Sequence, residues 1–215
     1  MNLLFFGDSI MQGMWDERGG WPSRIRQDIY REHLENARPH RHYNMVYMRG
    51  VSSNTSKDLK ERIGRELKDA TEHSSSEVTV VFSIGINDCG ISNGENKISK
   101  ENYRNNLREI VDRSREYADQ VIAVGLNPVD EDRLLDEEAS DKYTNSEVKK
   151  YNNILRNVCS EKEVNFLPIF EELKADEEWN QKLFDGLHPN SKGHEKIYEL
   201  VKKDIVAGLN LQNNK

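Results

Sequence analysis

Cysteine is scarce in this sequence. The 215 residues contain two cysteines, Cys89 and Cys159, which lie far apart in the chain. Disulfide-stapled proteins and structural zinc sites instead place several cysteines at short, paired spacings. We therefore expect two reduced thiols and no zinc site built on cysteine.

Long hydrophobic runs are also absent. No apolar stretch reaches the roughly eighteen residues that a helix needs to span a bilayer. The apolar run Met1–Phe6 has no basic segment before it and is too short for the core of a signal peptide. We expect a cytoplasmic protein with no membrane partner, in which this run forms a core strand.

Positive charge is not in excess. Lys and Arg number 31 against 38 Asp and Glu, which gives a formal net charge of −7. Proteins that bind nucleic acid usually present a clustered basic face to the phosphates, and the sequence contains no such cluster. We therefore expect no nucleic-acid partner.

The apolar residues that are present alternate between strand-like runs and helix-like periodicities. Five runs are predicted to be strands: Leu3–Phe6, His42–Met48, Val78–Ile84, Val121–Leu126 and Val164–Ile169. Each is followed by a segment with apolar residues three or four positions apart, as on one helix face. This alternation predicts a single α/β domain over residues 1–215, with helices on both faces of a parallel sheet. The polar tail 208–215 is expected to fray.

Reactive side chains follow the first, third and last of these predicted strands. Ser9 lies in the sequence GDS, Asn87 in GIND, and both Asp185 and His188 in DGLHP. The carboxyl ends of parallel strands meet at one edge of the sheet, which is where open α/β sheets bind ligands. We therefore expect these four side chains to converge.

The four residue types form a chemically complete set for acyl transfer. A serine hydroxyl such as that of Ser9 becomes a nucleophile when a base removes its proton, and His188 supplies that base. Asp185, three residues before His188, can orient the imidazole and stabilise its charged form. The Asn87 amide and backbone N–H groups near Ser9 can hold the oxyanion of the intermediate.

Taken in order, the three blocks resemble those of the SGNH hydrolases, also called GDSL-type hydrolases. GDSI resembles the nucleophile block of that family, GIND its Gly-x-Asn-Asp block, and DGLH its closing Asp-x-x-His block. The resemblance covers nearly the whole chain. It implies a flavodoxin-like three-layer α/β/α sandwich with a five-stranded parallel sheet. It also implies an ester hydrolase that needs no cofactor, with Ser9, Asp185 and His188 as the catalytic triad.

The block after the second predicted strand departs from the family pattern. The family carries a glycine there whose backbone N–H joins the oxyanion hole, and spacing against Asn54 and Thr55 places Ser53 at that position. A backbone donor survives this change where φ and ψ suit serine. The resemblance therefore implies an oxyanion hole made by the backbone N–H groups of Ser9 and Ser53 and the side chain of Asn87.

Other polar residues have simpler interpretations. Asp8 and Asp88 are expected to bind backbone N–H groups of their loops. Cys89 is expected to be a small core residue rather than a nucleophile. His40 and His42 lack a third ligand nearby and are expected to face solvent, so no metal site is predicted. His194 is expected at the surface or packing edge of the last helix.

Several apolar side chains near the nucleophile allow two interpretations. They either line a pocket for the acyl group or pack in the core: Met11, Met14, Trp15 and Trp21. The sequence has no lid or amphipathic anchor, which favours a small or soluble ester as the substrate. Acetyl groups on sugars, short-chain esters and thioesters all stay open.

Two other functions stay open at this level. The same residues could transfer the acyl group to an alcohol other than water. A non-catalytic flavodoxin-like module could instead bind a phosphate-bearing ligand at the strand ends. Against the second function, the GDS block lacks the spaced glycines and the lysine of a phosphate-binding loop.

Overall fold

A computed structural model describes residues 1–36, 44–73, 75–134 and 141–207. Its strands are β1 Asn2–Gly7, β2 Met45–Gly50, β3 Val78–Ser83, β4 Ile91–Ser92, β5 Glu95–Asn96, β6 Gln120–Val124 and β7 Asn165–Leu167. Five of them form a parallel sheet in the order β2-β1-β3-β6-β7, while β4 and β5 form a small antiparallel hairpin. The chain first moves outward from β1 to β2 and then returns to add β3 on the other side of β1. This is the flavodoxin-like order, so the predicted fold is confirmed.

Helices cover both faces of the sheet. The structure describes α1 Ser9–Gln12, α2 Gly20–Asn36, α3 Ser56–Thr71, α4 Lys100–Arg115, α5 Glu131–Leu134, α6 Asn145–Glu161, α7 Phe170–Lys174 and α8 Ser191–Ala207. Helices α2 and α8 pack together on one face, and α3, α4 and α6 pack on the other. In the part of the chain that the structure describes, no helix is long and apolar enough to cross a bilayer.

The apolar run of β1 supplies both cores. Leu3 and Phe5 point toward α2 and α8, while Leu4 and Phe6 point toward the opposite layer. Successive side chains of a strand alternate between the two faces of the sheet, and a strand covered on both faces therefore needs apolar residues throughout. All four side chains are fully buried, which fixes β1 at the centre of the fold.

A capping motif fixes the start of helix α3. Thr55 is its N-cap, and the Thr55 N–H donates to the Asp58 carboxylate at 2.8 Å in a capping box. The inward face carries Leu59, Ile63 and Leu67, all fully buried. The capping box sets where the preceding loop ends, and this loop contains Ser53.

Each of the five predicted strands differs from the structure in at least one of its limits, and β2 and β7 show the reasons. β2 pairs residue for residue with β1, from Met45 opposite Asn2 onward, so it runs to Gly50 rather than ending at Met48. Its predicted first residues, His42 and Tyr43, lie outside the described residues. β7 is shorter than the predicted Val164–Ile169 because the Val164 N–H donates to the end of α6 and Ile169 is the N-cap of α7.

Candidate active site

Ser9 is presented by a tight strand-to-helix turn. It is the first residue of α1, directly after β1, and is 3% exposed. The Asp8 carboxylate caps this helix by accepting the Ile10 N–H at 2.9 Å. A Cβ at Gly7 would collide with the Ser83 carbonyl, so the close approach of β1 and β3 at this point requires glycine. The turn therefore fixes the serine at the carboxyl edge of the sheet.

The structure brings Ser9, His188 and Asp185 into one hydrogen-bonded row. Ser9 Oγ lies 2.9 Å from His188 Nε2, and His188 Nδ1 lies 2.7 Å from Asp185 Oδ2. The other carboxylate oxygen of Asp185 accepts the N–H groups of Leu187 and His188 at 3.0 and 2.8 Å. Gly186 has a φ of 92°, which lets the chain turn back so that both side chains face Ser9.

The carboxylate of this row is held in its charged form. Partial burial of Asp185 opposes ionisation and is the largest single influence on its pKa. The backbone N–H groups of His188 and Leu187 and the imidazole together outweigh that influence, and the pKa lies below its ordinary value. An ionised Asp185 can therefore stabilise a positive charge on His188.

Asn87 contacts the loop after β2 that carries the other predicted site residue, Ser53. Asn87 is nearly buried, and its Nδ2 donates to the backbone carbonyl of Asn54, the neighbour of Ser53, at 2.9 Å. Ser53 has a φ of 65°, the left-handed conformation that favours glycine. Ser53 thus has the backbone conformation expected of the glycine that it replaces in the family pattern.

Arg62 of α3 ties this loop to the nucleophile turn, and the sequence analysis missed it. Its guanidinium donates at 3.0 Å to the carbonyl of Gly7, the last residue of β1, and at 2.9 Å to that of Arg49, the next-to-last residue of β2. It also donates to Asn54 Oδ1 at 2.7 Å. No local motif marks this arginine, because its partners come from other parts of the chain.

Two buried carboxylates lie beneath the site, and both bind backbone N–H groups as predicted. Asp8 caps α1, while Asp88 accepts the Ser56 N–H at 2.9 Å and also its hydroxyl. Burial raises the pKa of Asp8 to about 7 and that of Asp88 to about 6. Both groups therefore titrate in the folded protein at a higher pH than an exposed aspartate does.

A buried cluster joins the segment after Ser9 to the segment after His188. The Asp16 carboxylate pairs with the Arg24 guanidinium and accepts the Ser191 hydroxyl at 2.7 Å. Arg24 also donates to the Ser191 carbonyl at 3.1 Å. We call Asp16, Arg24 and Ser191 the Asp16 clamp. Burial opposes ionisation of Asp16, but the bonds from Arg24 and Ser191 hold its pKa well below the ordinary value.

His194 does not lie where it was predicted, at the surface or packing edge of the last helix. It is fully buried rather than at the surface, with Nδ1 accepting the Trp21 N–H at 3.3 Å and Nε2 3.4 Å from the Met14 carbonyl. Burial lowers the pKa of His194 to about 4. This neutral imidazole packs beside the Asp16 clamp and is a second link between the two segments.

The remaining candidate residues near the nucleophile differ in how far they are buried. Met11 and Trp21 are core residues, whereas Trp15 is 51% exposed. Cys89 is buried, and burial raises the pKa of its thiol far above the ordinary value, which disfavours a thiolate nucleophile.

His40 and His42 lie outside the described residues. Among the residues that are described, no group of three or more His, Cys, Asp or Glu side chains could hold a metal ion.

The fold and this site define a flavodoxin-like protein with a serine–histidine–aspartate row at the carboxyl edge of its sheet. The model of the GDSL-like lipase/acylhydrolase family matches residues 5–196. The chain therefore belongs to this family and is a carboxylic ester hydrolase. A comparison with curated proteins found no match.

Solved structures with this fold cover nearly the whole chain. A lipase/acylhydrolase from Enterococcus faecalis is 21% identical, with a TM-score of 0.71 and 96% of each chain covered. The acetyl xylan esterase AlAXEase is 17% identical, with a TM-score of 0.71, covering 95% of this chain and 100% of its own. The acetylxylan esterase Axe2 from Geobacillus stearothermophilus is 19% identical, with a TM-score of 0.68, covering 95% and 93%. At these identities the likeness shows the fold alone.

Proposed function

We propose that the chain hydrolyses small, soluble carboxylic esters through an acyl-enzyme formed on Ser9. The observation that carries this proposal is the continuous row from Ser9 Oγ to His188 Nε2, at 2.9 Å, and from His188 Nδ1 to Asp185 Oδ2, at 2.7 Å. Nucleophile, base and orienting carboxylate thus stand in the order that acyl transfer requires.

In the first step, Ser9 Oγ attacks the ester carbonyl carbon and its proton moves to His188 Nε2. This needs the neutral imidazole with its proton on Nδ1, and the bond to the ionised Asp185 favours that tautomer. The positive charge that develops on His188 is stabilised by the same carboxylate.

The carbonyl oxygen becomes an oxyanion that needs donors. We assign these donors to the backbone N–H groups of Ser9 and Ser53 and to Asn87 Nδ2. The left-handed φ of Ser53 and the bond from Asn87 to Asn54 support this assignment, because they bring the loop and the amide together. A single donor of this kind contributes roughly 10²- to 10³-fold to kcat.

In the second step, the tetrahedral intermediate collapses. The bond to the alcohol breaks, and His188 gives its proton to the departing oxygen. A water molecule then attacks the acyl carbon, again with His188 as the base, and the carboxylic acid leaves Ser9 with its hydroxyl restored.

A small acyl group fits this site best. The side chain of Ser53 adds a hydroxymethyl group where the family pattern has none, which narrows the oxyanion end of the site. Two proteins of similar fold are named as acetylxylan esterases, and acetyl is among the smallest acyl groups. We therefore propose that acetyl esters are cleaved faster than long-chain esters.

The test combines covalent labelling with a panel of p-nitrophenyl esters from acetate to decanoate. A fluorophosphonate should label wild-type protein and Ser160→Ala, a control on the exposed face of α6, but should not label Ser9→Ala. Ser9→Ala should also lose activity by orders of magnitude while its circular dichroism spectrum is unchanged. Labelling at Cys89, or activity that persists in Ser9→Ala, would overturn the mechanism.

A further inference from the structure

We infer that Trp15 and Phe184 form a binding surface for the alcohol half of the ester, and that this alcohol carries a flat ring. The inference rests on the proposed function, because it assigns one side of the same site. We refer to these two residues as the aromatic pair.

The aromatic pair is exposed although its rings are large and apolar. The ring centroids lie 4.7 Å apart with an interplanar angle of 25°. Trp15 is 51% exposed and Phe184 is 53% exposed, whereas Trp21 and Trp179 are each 2% exposed. Large apolar side chains gathered at a surface are typical of interaction sites.

The backbone of Trp15 adopts an unfavourable conformation, and burial of its side chain does not offset the cost. Its φ of 63° is left-handed, which is an outlier for a bulky residue. Such strain persists where the surroundings impose it, and it concentrates at ligand-binding sites. Here the flanking residues impose it, since the Met14 N–H donates to the Ser9 carbonyl at 3.0 Å and Asp16 belongs to the Asp16 clamp.

The backbone of Phe184, the other member of the aromatic pair, is also held by hydrogen bonds. Its N–H donates to the His188 carbonyl at 2.8 Å, and Asp185 is the next residue in the chain. The Arg133 guanidinium holds the carbonyls of Leu183, at 3.2 Å, and of Phe184. The backbone that carries the two exposed rings is thus already held in place. Binding of a ligand to the rings therefore costs the protein little conformational entropy.

The position of the aromatic pair indicates which half of the ester it meets. One ring extends from the segment that follows Ser9, and the other from the segment that carries His188. The carbonyl oxygen is directed to the proposed donors Ser53 and Asn87, whose segments lead into α3 and α4 on the other face of the sheet from α2 and α8. Because His188 protonates the departing oxygen, the alcohol lies on the side of the aromatic pair.

The shape of the surface indicates the class of alcohol. Stacked aromatic rings offer a flat apolar area, and its best complement is another flat ring presenting its face or its C–H edge. A short linear alkyl group covers less of this area. We therefore assign the surface to alcohols that carry a six-membered ring.

The first experiment compares benzyl acetate with propyl acetate. The acyl group is the same and the two alcohols have comparable acidity, so the ratio of the two kcat/KM values reports on the ring. Trp15→Ala and Phe184→Ala should each lower this ratio about three- to tenfold, the size of one aromatic contact. Trp15→Phe should retain most of it, and Tyr30→Ala, which removes an exposed aromatic ring on α2, should match wild type.

The second experiment measures binding without turnover. Trp15 is the exposed member of the three tryptophans, so its fluorescence reports on the surface. Adding benzyl acetate to Ser9→Ala should change the emission, and adding it to Ser9→Ala carrying Trp15→Phe should not. An acetate ester of methyl xyloside, tested in both experiments, shows whether a hydroxylated ring is accepted as well. If its kcat/KM and the fluorescence change depend on Trp15 as they do with benzyl acetate, the assignment is supported.

The outcomes separate the inference from the proposed function. If wild type cleaves both acetates but the ratio is the same in every variant, the inference is overturned and the hydrolase mechanism stands. If wild type cleaves neither ester and fluorophosphonate does not label Ser9, the proposed function itself fails. If Trp15→Ala instead converts a dimer into a monomer in sedimentation, the surface binds a second copy of the chain and the inference is wrong.

Discussion

Ser53 combines an unfavourable conformation with an exposed side chain. A left-handed φ of 65° costs an ordinary residue about 1–2 kcal/mol, and serine gains no burial in return. In the proposed mechanism this conformation sets the direction of a backbone N–H, which any residue can supply if it tolerates the same φ and ψ.

We expect Ser53→Gly and Ser53→Ala to retain most of kcat on p-nitrophenyl acetate, because the N–H stays in place. Ser53→Val should lower kcat, since a β-branched residue resists the left-handed conformation. Asn87→Ala removes a side-chain donor outright and should lower kcat roughly 10²- to 10³-fold. If Ser53→Ala were as damaging as Asn87→Ala, the Ser53 hydroxyl itself would be the donor.

Asp8 gives the stability of the protein a pH dependence with a definite sign. An aspartate in the unfolded chain ionises near pH 4, whereas burial raises the pKa of Asp8 to about 7 in the folded protein. Between these values the folded state holds the extra proton. The contribution of Asp8 to stability is therefore fully present below about pH 4 and is lost as the pH rises through about 7.

Asp8→Asn keeps an acceptor for the Ile10 N–H but cannot ionise. Its free energy of unfolding relative to wild type should rise from pH 5 to pH 7, with a slope of up to about 1.4 kcal/mol per pH unit. Urea denaturation at each pH measures this difference, and titrating groups that do not interact with Asp8, such as His194, cancel from it. Asp69→Asn, on the exposed side of α3, serves as the control. A constant difference across this range would contradict the raised pKa.

Single residues were predictable from the sequence where a short motif carries them. Ser9, Asn87, Asp185 and His188 stand in such motifs, and the fold needs only to bring the strand ends together. Arg62 has no motif, because its bonds reach Gly7, Arg49 and Asn54 across the chain.

His194 was mispredicted although a signal existed. It precedes Ile197 by three positions and Val201 by seven, which places it on the buried face of α8. A polar residue on an apolar face can be buried when the fold supplies hydrogen-bond partners for it, such as the Trp21 N–H for His194. Sequence patterns do not reveal these partners because they lie far away in the chain.

At the scale of elements, periodicity identified the long helices and the sheet strands but not the short pieces. The helices α1, α5 and α7 have four or five residues each, too few for a pattern. Their positions follow from caps and from contacts with other segments. The Asp16 clamp is such a contact, since it joins the segment between α1 and α2 to the first residue of α8.

We expect Asp16→Asn to lower the free energy of unfolding by about 3–5 kcal/mol, because it leaves the buried Arg24 charge without its partner. Glu161→Gln, which breaks the exposed pair with Arg108, is the matched control and should change stability far less. Urea denaturation followed by circular dichroism measures both. Equal losses in the two variants would mean that the clamp contributes no more than a surface ion pair.

At the scale of the whole molecule, the alternation of strands and helices was enough to predict the architecture. Right-handed crossovers and short connections leave few ways to arrange five parallel strands with helices on both faces. The strand limits could not be predicted to the residue, because pairing sets them: β2 takes its length from β1. The apolar cores on the two faces of the sheet are formed by the same strands, so neither core belongs to a separate domain.

We therefore expect the chain to unfold as one domain. The fluorescence of Trp21, on α2, and of Trp179, both buried in the core on the α2 and α8 face of the sheet, should change at the same urea concentration as the far-ultraviolet circular dichroism. Two separate midpoints would show that one layer of helices can melt while the other persists, and the single-domain interpretation would be wrong.

The distance along the chain between Ser9 and His188 has a consequence for biosynthesis. The two residues are 179 positions apart, so at roughly 5–20 residues per second the ribosome needs on the order of ten to forty seconds to make the second after the first. In the proposed mechanism, the nascent chain carries its serine throughout that interval without the histidine that activates it. We therefore expect a prematurely terminated polypeptide that ends before the DGLHP block to be inert toward esters, because it contains the proposed nucleophile but not the proposed base.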